Sequence, residues 1–343
     1  MHMSDALLSP KVGLTMWALT ASSIGWAARR LQTRTAMLNV PLMGVAGAFI
    51  FAAQMINFSI PGTGSSGHLG GGMLLAILLG PWAGYLTLAS VLTIQALFFA
   101  DGGLLALGCN IFNLGFFTCL LAYSFIYRPL IGTRPSSNRV FWISILACTF
   151  GLQLGSLGVV FQTTLSGLAE LPAKPFALLM QPVHLAIGLM EGAVTGLLIN
   201  FLRKAEPGLI VENTDSHPLR GRGLIVALFF GTLLVGGGLS LVASENPDGL
   251  EWAVERTAGK EEISSAMSPL HRIAGRIQEM FSFLPGYDFT KSETEGGGDG
   301  EFAAPLEATA ETSVAGIVGS LMTLTLIIGV AVVLRLIQKR VGG

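Results

Sequence analysis

Residues 73–99 read MLLAILLGPWAGYLTLASVLTIQALFF, a run of 27 residues without a charged side chain. A helix of about 20 apolar residues crosses a bilayer, so this run is long for one simple crossing. The pair Gly80-Pro81 lies near its first third, and a proline there breaks a continuous helix. The run therefore predicts a hairpin, in which a short helix over 73–80 is followed by a returning helix over 83–99.

Similar apolar runs occur on both sides of this hairpin. Of all residues, 51% are hydrophobic and 12% are charged, and the charged share is about half that of an ordinary soluble domain. The sequence therefore predicts an all-α polytopic protein of a cell membrane, in contact with lipid. The further spans are predicted at 13–28, 36–56, 104–127, 140–163, 177–202, 223–244 and 314–334.

The basic residues predict the orientation of the spans. With the hairpin, all four basic clusters fall on one side, which the positive-inside rule assigns to the cytoplasm together with the C-terminus. Residues 1–10, 57–72, 100–103, 164–176 and 245–313 then lie outside. Only Lys11 precedes the first apolar run, which is unlike a cleaved signal peptide, so we expect a retained N-terminus. The clusters are Arg29/Arg30/Arg34, Arg128/Arg134/Arg139, Arg203/Lys204/Arg220/Arg222 and Arg335/Lys339/Arg340.

The polar segments divide the chain into two units. Residues 1–204 form a predicted seven-helix unit, 205–222 form a cytoplasmic linker, and 223–343 form a two-helix unit with the outer segment 245–313. That outer segment is acidic, and we expect it to be a solvated surface without a site. The net charge of −1 gives no electrostatic reason to expect nucleic-acid binding.

No motif for an enzyme is present. The sequence lacks the Walker A pattern for ATP binding, and it lacks H-E-x-x-H and G-x-S-x-G. The cysteines Cys109, Cys119 and Cys148 lie in apolar runs, and we interpret them as buried packing residues. The chain is therefore predicted to bind and translocate a substrate and not to catalyse a reaction.

The start of the chain, Met1-His2, suits a metal ion. The α-amine, the next backbone amide nitrogen and the imidazole at position two can close fused chelate rings on one ion. Such planar nitrogen donors favour Ni(II) or Cu(II), and Co(II) can also accept them. An α-amine titrates near pH ~8 and a histidine near ~6.5, so we expect metal capture to weaken in mild acid.

A fourth donor is predicted in the glycine-rich loop PGTGSSGHLGGG at 61–72, which contains His68. This loop lies on the same predicted side as the N-terminus, and its glycines permit close approach of another segment. A loop histidine that is merely solvated remains the alternative interpretation. Polar residues expected to orient the histidine rings are Gln54, Asn57, Ser65, Ser66 and Asn110.

Several motifs occur in a characteristic order. They are Met1-His2, LSP at 8–10, FAAQMINF at 51–58, SGHLGG at 66–71, LGPWA at 79–83, DGG at 101–103 and LGCNIFN at 107–113. Over about residues 1–204 the chain thereby resembles the CbiM/NikM family, the substrate-binding subunits of energy-coupling-factor transporters for cobalt and nickel. The sequence SDA at 4–6 departs from the family's usual Pro-Asp-Gly, so the path of the N-terminal segment is not carried over.

The resemblance implies a ligand set and partners. The metal ligands would be the Met1 amine, the His2 amide and imidazole, and His68, holding Ni(II) or Co(II) as transported substrate without a resident cofactor. Energy would come from CbiO/NikO-like ATPase subunits through a CbiQ/NikQ-like coupling membrane subunit, as in an ABC transporter. The resemblance also implies a bacterial or archaeal cell membrane and, for cobalt, a link to cobalamin biosynthesis.

The second unit resembles the accessory subunit of nickel systems. The motifs are NPDGLE at 246–251, LPGYD at 284–288 and GIVG at 316–319. The resemblance implies a NikMN-type fusion and favours nickel slightly over cobalt.

Three further features leave two interpretations each. His184 and Glu191 lie seven residues apart and share a helix face, as a hydrogen-bonded structural pair or as groups in metal passage. The small residues Gly44, Ala48 and Ala52 form a stripe for a coupling subunit or for internal packing. His217 and His271 are expected to be solvated, although His271 could help to gather metal.

Two other classes of function compete. A stand-alone secondary divalent-metal permease should carry acidic residues near the membrane midplane, and Glu191 is the one clear candidate. A membrane metalloenzyme would keep an open coordination position beside a general base, and no carboxylate close to His68 in sequence suggests one.

Overall fold

The computed structural model describes residues 1–32, 40–168, 171–205, 222–238, 243–244, 246–259, 268–287 and 314–329. The linker residues 206–221, including His217, lie outside the described residues, as do Arg34 and the whole stretch 288–313. The described part is mainly helical, which confirms the predicted all-α membrane fold.

Seven helices occupy the described residues up to 205. Four of them, α4 to α7, are long and apolar enough to cross a membrane, while α2 is apolar but shorter. Residues 112–127 of α5 have π-helical hydrogen bonding. The helices are α1 (Pro10–Gln32), α2 (Val40–Gln54), α3 (Gly72–Leu79), α4 (Pro81–Phe98), α5 (Leu107–Ile131), α6 (Ser137–Ser166) and α7 (Ala173–Ala205).

The predicted hairpin is present. Gly80 separates α3 from α4 with φ 83° and ψ 162°, a conformation that favours glycine, and Pro81 opens the second helix. The two helices run side by side in close contact. A Cβ added to Gly84 would lie only 2.8 Å from the Ala76 nitrogen. Glycine at position 84 thus permits the close contact, and the returning helix begins at 81 and not at 83.

A stripe of small residues joins α6 to α7. Gly188, Gly192 and Gly196 recur every four residues on α7, and each faces the backbone of α6. In a membrane such stripes bring helices together, since their packing depends on close van der Waals contact. Both helices belong to the seven-helix unit (residues 1–204), hereafter the binding unit. His184 and Glu191 lie on α7.

Four helices belong to the second unit within the described residues: α8 (Arg222–Gly237), α9 (Gly249–Ala258), α10 (Pro269–Phe281) and α11 (Val314–Gly329). The two apolar helices, α8 and α11, pack against α2. The Ser320 hydroxyl donates a hydrogen bond to the Ala48 carbonyl at 3.0 Å, and a Cβ on Gly44 would lie 2.7 Å from Leu324. A Cβ on Gly236 would lie 3.4 Å from the Ala52 methyl group.

The small-residue stripe of α2 is therefore covered by the chain's own second unit. This favours the internal-packing interpretation of Gly44, Ala48 and Ala52 over docking of a separate coupling subunit. The physical reason is that the second unit supplies two apolar helices that need a close-packed partner.

A short β-hairpin, absent from the all-α prediction, precedes α3. Strands β1 (Phe58–Ile60) and β2 (Ser65–Gly67) pair antiparallel, with Ser59 opposite Ser66. His68 follows β2 directly, so the hairpin fixes where the glycine-rich loop begins.

The N-terminal segment is inserted into the binding unit. Met1, Met3, Leu7 and Leu8 are all buried, and residues 5–7 form a 3-10 turn. The amide side chain of Asn110 pairs with both backbone groups of Met3, at 2.8 Å to its nitrogen and 3.2 Å to its oxygen. The first residues of the chain are thus held in place instead of fraying as chain termini usually do.

Candidate metal site

The N-terminal amine lies next to the loop histidine. The Met1 nitrogen is 3.3 Å from His68 Nε2 and 2.8 Å from Asp248 Oδ2, with which it forms an ion pair. Met1 is only 5% exposed, so this pair is shielded from water. The structure thereby brings together two of the predicted ligands, which are separated by 67 residues in sequence.

His2 is oriented by a carboxylate. Its Nδ1 is 2.7 Å from Asp101 Oδ1, and the other Asp101 oxygen accepts a hydrogen bond from the Tyr287 hydroxyl. Its Nε2 is buried and has no hydrogen-bond partner within the described part of the chain. The His2 and His68 rings are neighbours, with centroids 5.1 Å apart.

His68 is oriented by the backbone. Its Nδ1 lies 3.2 Å from the Leu69 carbonyl, which can only accept, so Nδ1 carries the proton. The lone pair of the ring is then on Nε2, the atom that faces the Met1 amine. A histidine held in this way presents one nitrogen to a metal ion.

The electrostatics of the site keep His68 neutral. Burial, and next the positive charge of the Met1 amine, lower the pKa of His68 from 6.5 to about 3. Protons therefore compete little for this nitrogen in mild acid. The weakening of metal capture in mild acid was expected for the Met1-His2 chelate, and it stays a prediction.

Both carboxylates are ionised. Burial alone would raise the pKa of Asp101, but the adjacent His2 ring and the hydrogen bond from Tyr287 lower it to about 2. Burial opposes ionisation of Asp248 too, and its ion pair with the Met1 amine lowers its pKa well below the usual range.

The polar residues predicted to orient the histidine rings bond to the backbone or to other side chains near the site. Gln54 donates to the Gly70 carbonyl at 2.9 Å, and Ser66 donates to the Asn246 carbonyl at 2.7 Å. Ser65 bonds to Thr63, and Asn57 accepts from the Ser244 nitrogen through its backbone carbonyl. Together with Asn110, which holds Met3, they fix the surrounding backbone, and in the described structure none of the five bonds to the His2 or His68 ring.

Glu191 holds the loop that carries His68. Its two carboxylate oxygens accept hydrogen bonds from the backbone nitrogens of Gly70 and Gly71, at 2.8 and 3.0 Å. His184 instead bonds to the Met180 carbonyl at 2.8 Å. The predicted His184–Glu191 pair is therefore wrong, because seven residues of helix separate the two by about 10 Å along the axis.

His184 nevertheless lies close to the predicted ligands. It is buried, it lines a small cavity together with Met1, His68 and Asp248, and its Nε2 has no partner among the described residues. The possibility that His184 takes part in metal passage therefore stays open.

The outer segment of the second unit reaches the site, which contradicts its interpretation as a solvated surface. The Pro247 carbonyl accepts from the Ser66 nitrogen at 2.8 Å, and Asp248 follows it. His271 is buried and donates from Nε2 to the Leu8 carbonyl at 2.8 Å, so it is not solvated. Gln278 bonds to the Gly102 carbonyl at 2.7 Å.

Sequence reasoning assigned no role at the site to Asp101, Asp248 or Tyr287. Each of them stands in a motif that it quoted, DGG, NPDGLE or LPGYD, and those motifs were the available signal.

The predicted donor set consists of nitrogen atoms. Within the described residues, no group of three or more His, Cys, Asp or Glu side chains forms a metal cluster. A site built from the terminal amine, a backbone amide and two histidines does not need such a cluster. The three cysteines are buried and unpaired, in agreement with the packing role predicted for them.

Comparison with known proteins identifies the two units. Residues 2–209 match the family described as the cobalt uptake substrate-specific transmembrane region, CbiM, and residues 222–336 match the PDGLE domain. The "Probable fused nickel transport protein LarMN" of Lactiplantibacillus plantarum is 32% identical, with 82% of this chain and 88% of that protein covered. The "Fused nickel transport protein NikMN" of Rhodobacter capsulatus is 29% identical, with 84% of this chain and 88% of that protein covered.

A solved structure described as a transition metal transporter has the same fold over the first unit. It is 31% identical, its TM-score is 0.52, and the alignment covers 62% of this chain and 95% of the other. The chain therefore belongs to the CbiM family, the substrate-specific transmembrane proteins of cobalt uptake, in a form fused to a PDGLE domain.

Proposed function

We propose that this membrane transport protein captures Ni(II) or Co(II) with the Met1 amine, the His2 amide and imidazole, and His68. The observation that carries the proposal is the 3.3 Å approach of the buried Met1 amine to His68 Nε2, beside the His2 ring. Four nitrogen donors from two segments would then surround one ion. The ion is the substrate of the protein.

Metal binding would change the bonding of the three nitrogens of the Met1-His2 chelate. A six-membered chelate ring through the His2 amide closes at Nδ1, which Asp101 now holds at 2.7 Å. The amine must first give up the extra proton that it shares with Asp248, the His2 amide must lose its N–H proton, and both protons are released to water. We expect both carboxylates to stay close to the ion, where their negative charges oppose the positive charge of the buried metal.

The donor set and the relatives favour nickel. Planar nitrogen coordination suits Ni(II) well, and Co(II) accepts it less readily. The relatives from R. capsulatus and L. plantarum, both covered across more than four-fifths of their length, are named as fused nickel transport proteins.

The test is metal binding by the purified full-length chain with one residue added before Met1. This addition keeps every side chain but moves the α-amine out of chelating position. We expect nickel affinity to collapse in the extended chain and in His68→Ala, while a His217→Ala control in the linker binds normally. Unchanged affinity in the extended chain would show that the amine is not a ligand.

The energy for transport comes, in this proposal, from separate ATPase subunits through a coupling membrane subunit. In the same proposal, the N-terminus and residues 245–313 of this chain face outside, and its C-terminus faces the cytoplasm. The test is nickel uptake into cells that express the chain with and without these subunits. Uptake that needs only this chain and an ion gradient would favour the secondary permease instead.

A further inference from the structure

Three parts of the binding unit that surround the proposed ligands are held by the PDGLE unit. Ser66, two residues before His68, bonds to Pro247, and His271 binds the Leu8 carbonyl. Tyr287 bonds to Asp101, the partner of His2. Most of these contacts support the ligands at a distance, whereas Asp248 touches one of them directly.

Asp248 is itself fixed on both sides. It is the N-cap of α9, where its Oδ1 accepts hydrogen bonds from Leu250 and Glu251 at 2.7 and 2.9 Å. The Glu251 side chain accepts from the Asp248 nitrogen in return at 3.1 Å. This capping box leaves Oδ2 free to bond to the Met1 amine. The carboxylate is thus a rigid acceptor and not a mobile surface group.

The contact between Asp248 and the amine is compatible with a bound metal. A primary amine that gives its lone pair to a metal keeps two N–H groups, and one of them can still donate to Asp248. Carboxylates in this position orient the ligands of metal sites. On the basis of the proposed function, we propose that Asp248 of the PDGLE unit is a positioning residue, which holds the Met1 amine beside His68 for metal capture.

The decisive variant is Asp248→Asn in the full-length chain. Asparagine is as good an N-cap as aspartate, so α9 keeps its start. Its carbonyl oxygen caps the helix, and its NH₂ group then faces the amine, to which it cannot act as an acceptor. We expect nickel affinity to fall by about 10- to 100-fold, the usual effect of losing such a partner.

The matched control is Glu255→Gln, which removes one negative charge from the next turn of α9, outside the capping box that holds Asp248. We expect it to bind nickel within about threefold of the native chain, since long-range charge effects are screened. An equal loss in both variants would mean that Asp248 acts only through the charge or the folding of the outer unit, and the proposal would be wrong.

A second measurement needs no metal. The rate at which an amine-reactive ester acylates Met1 is measured by mass spectrometry, with Lys11 as internal reference. We expect Asp248→Asn to raise the Met1 rate relative to Lys11 at least threefold, because the amine is no longer held in the buried site. An unchanged ratio together with native affinity overturns the positioning role.

The two proposals fail separately. If the chain with an added residue before Met1 still binds nickel normally, the proposed function fails, whatever Asp248 does. If that extension abolishes binding but Asp248→Asn leaves both affinity and acylation unchanged, only the role of Asp248 fails.

Discussion

The buried Glu191 carboxylate on α7 accepts a hydrogen bond from the Gly70 backbone nitrogen at 2.8 Å, two residues beyond His68. Its second oxygen accepts from Gly71 at 3.0 Å, so one side chain holds two consecutive peptide groups of the ligand loop. Glu191 thus acts on the site through the backbone, although its place in an apolar helix suggested a part in metal passage.

We expect Glu191→Gln to destabilise the metal-free chain. Glutamine offers one acceptor oxygen, so its NH₂ group would face a backbone N–H and leave a buried donor unpaired, at a cost of ~1–3 kcal/mol. Thermal unfolding in detergent should show a lower midpoint, and nickel titration should show weaker binding as the His68 loop loosens. Asn200→Ala, near the far end of the same helix, is the control, and an equal fall there would refute the assignment.

A second expectation concerns Tyr287. Its hydroxyl donates to Asp101, and its ring stacks on Phe99 with centroids 5.1 Å apart. Tyr287→Phe keeps the stacking and removes one hydrogen bond to a carboxylate, which is worth ~1.5–3 kcal/mol.

Tyr287→Phe should therefore lower the unfolding midpoint of the native chain. In an Asp101→Ala background the same substitution should leave the midpoint nearly unchanged. A double-mutant cycle of thermal unfolding measures this coupling. Additive losses would show that the hydroxyl stabilises the outer unit independently of Asp101.

The predictable part of the molecule is the part that depends on local sequence. Apolar runs and the Gly80-Pro81 break predicted the helices and the hairpin, because helix length and proline chemistry act within a few residues. The position of His68 beside Met1 followed from the family resemblance, and residue spacing alone did not fix it.

The contacts of the outer unit could not be predicted in this way. Asp248 meets Met1 across 247 residues, and Tyr287 meets Asp101 across 186. An acidic segment has the same composition whether it is solvated or inserted into a site. His271 was expected to be solvated for the same reason. It bonds to the backbone carbonyl of Leu8, and a pattern of side chains in the sequence does not indicate such a backbone contact.

The contact between α11 and α2 gives a third expectation. Gly319 in the GIVG motif faces the ring of Phe51, and a Cβ there would overlap the ring. Gly319→Ala should therefore cost ~1–3 kcal/mol through overpacking. Gly329 on the same helix has nothing within 4 Å of an added Cβ, so Gly329→Ala is the matched control and should be neutral. Equal unfolding midpoints for the two variants would contradict this packing.

The fourth expectation is a dependence of stability on pH that comes from His68. Its folded pKa of about 3 is lower than its ordinary value of 6.5, because burial and the Met1 amine oppose a positive charge there. The unfolded chain therefore takes up a proton at His68 below pH 6.5, while the folded chain does not. Stability from this group is fully present above pH 6.5 and is lost as pH falls toward 3.

His68→Gln removes this dependence. The unfolding midpoint of the metal-free native chain should fall further between pH 7.5 and pH 4.5 than that of His68→Gln, with His217→Gln behaving like the native chain. Histidine NMR should show His68 neutral across the same range. A His68 signal that titrates near pH 6.5 would mean that the ring is open to water, and then the loop could not hold a neutral nitrogen ready for the metal beside the Met1 amine.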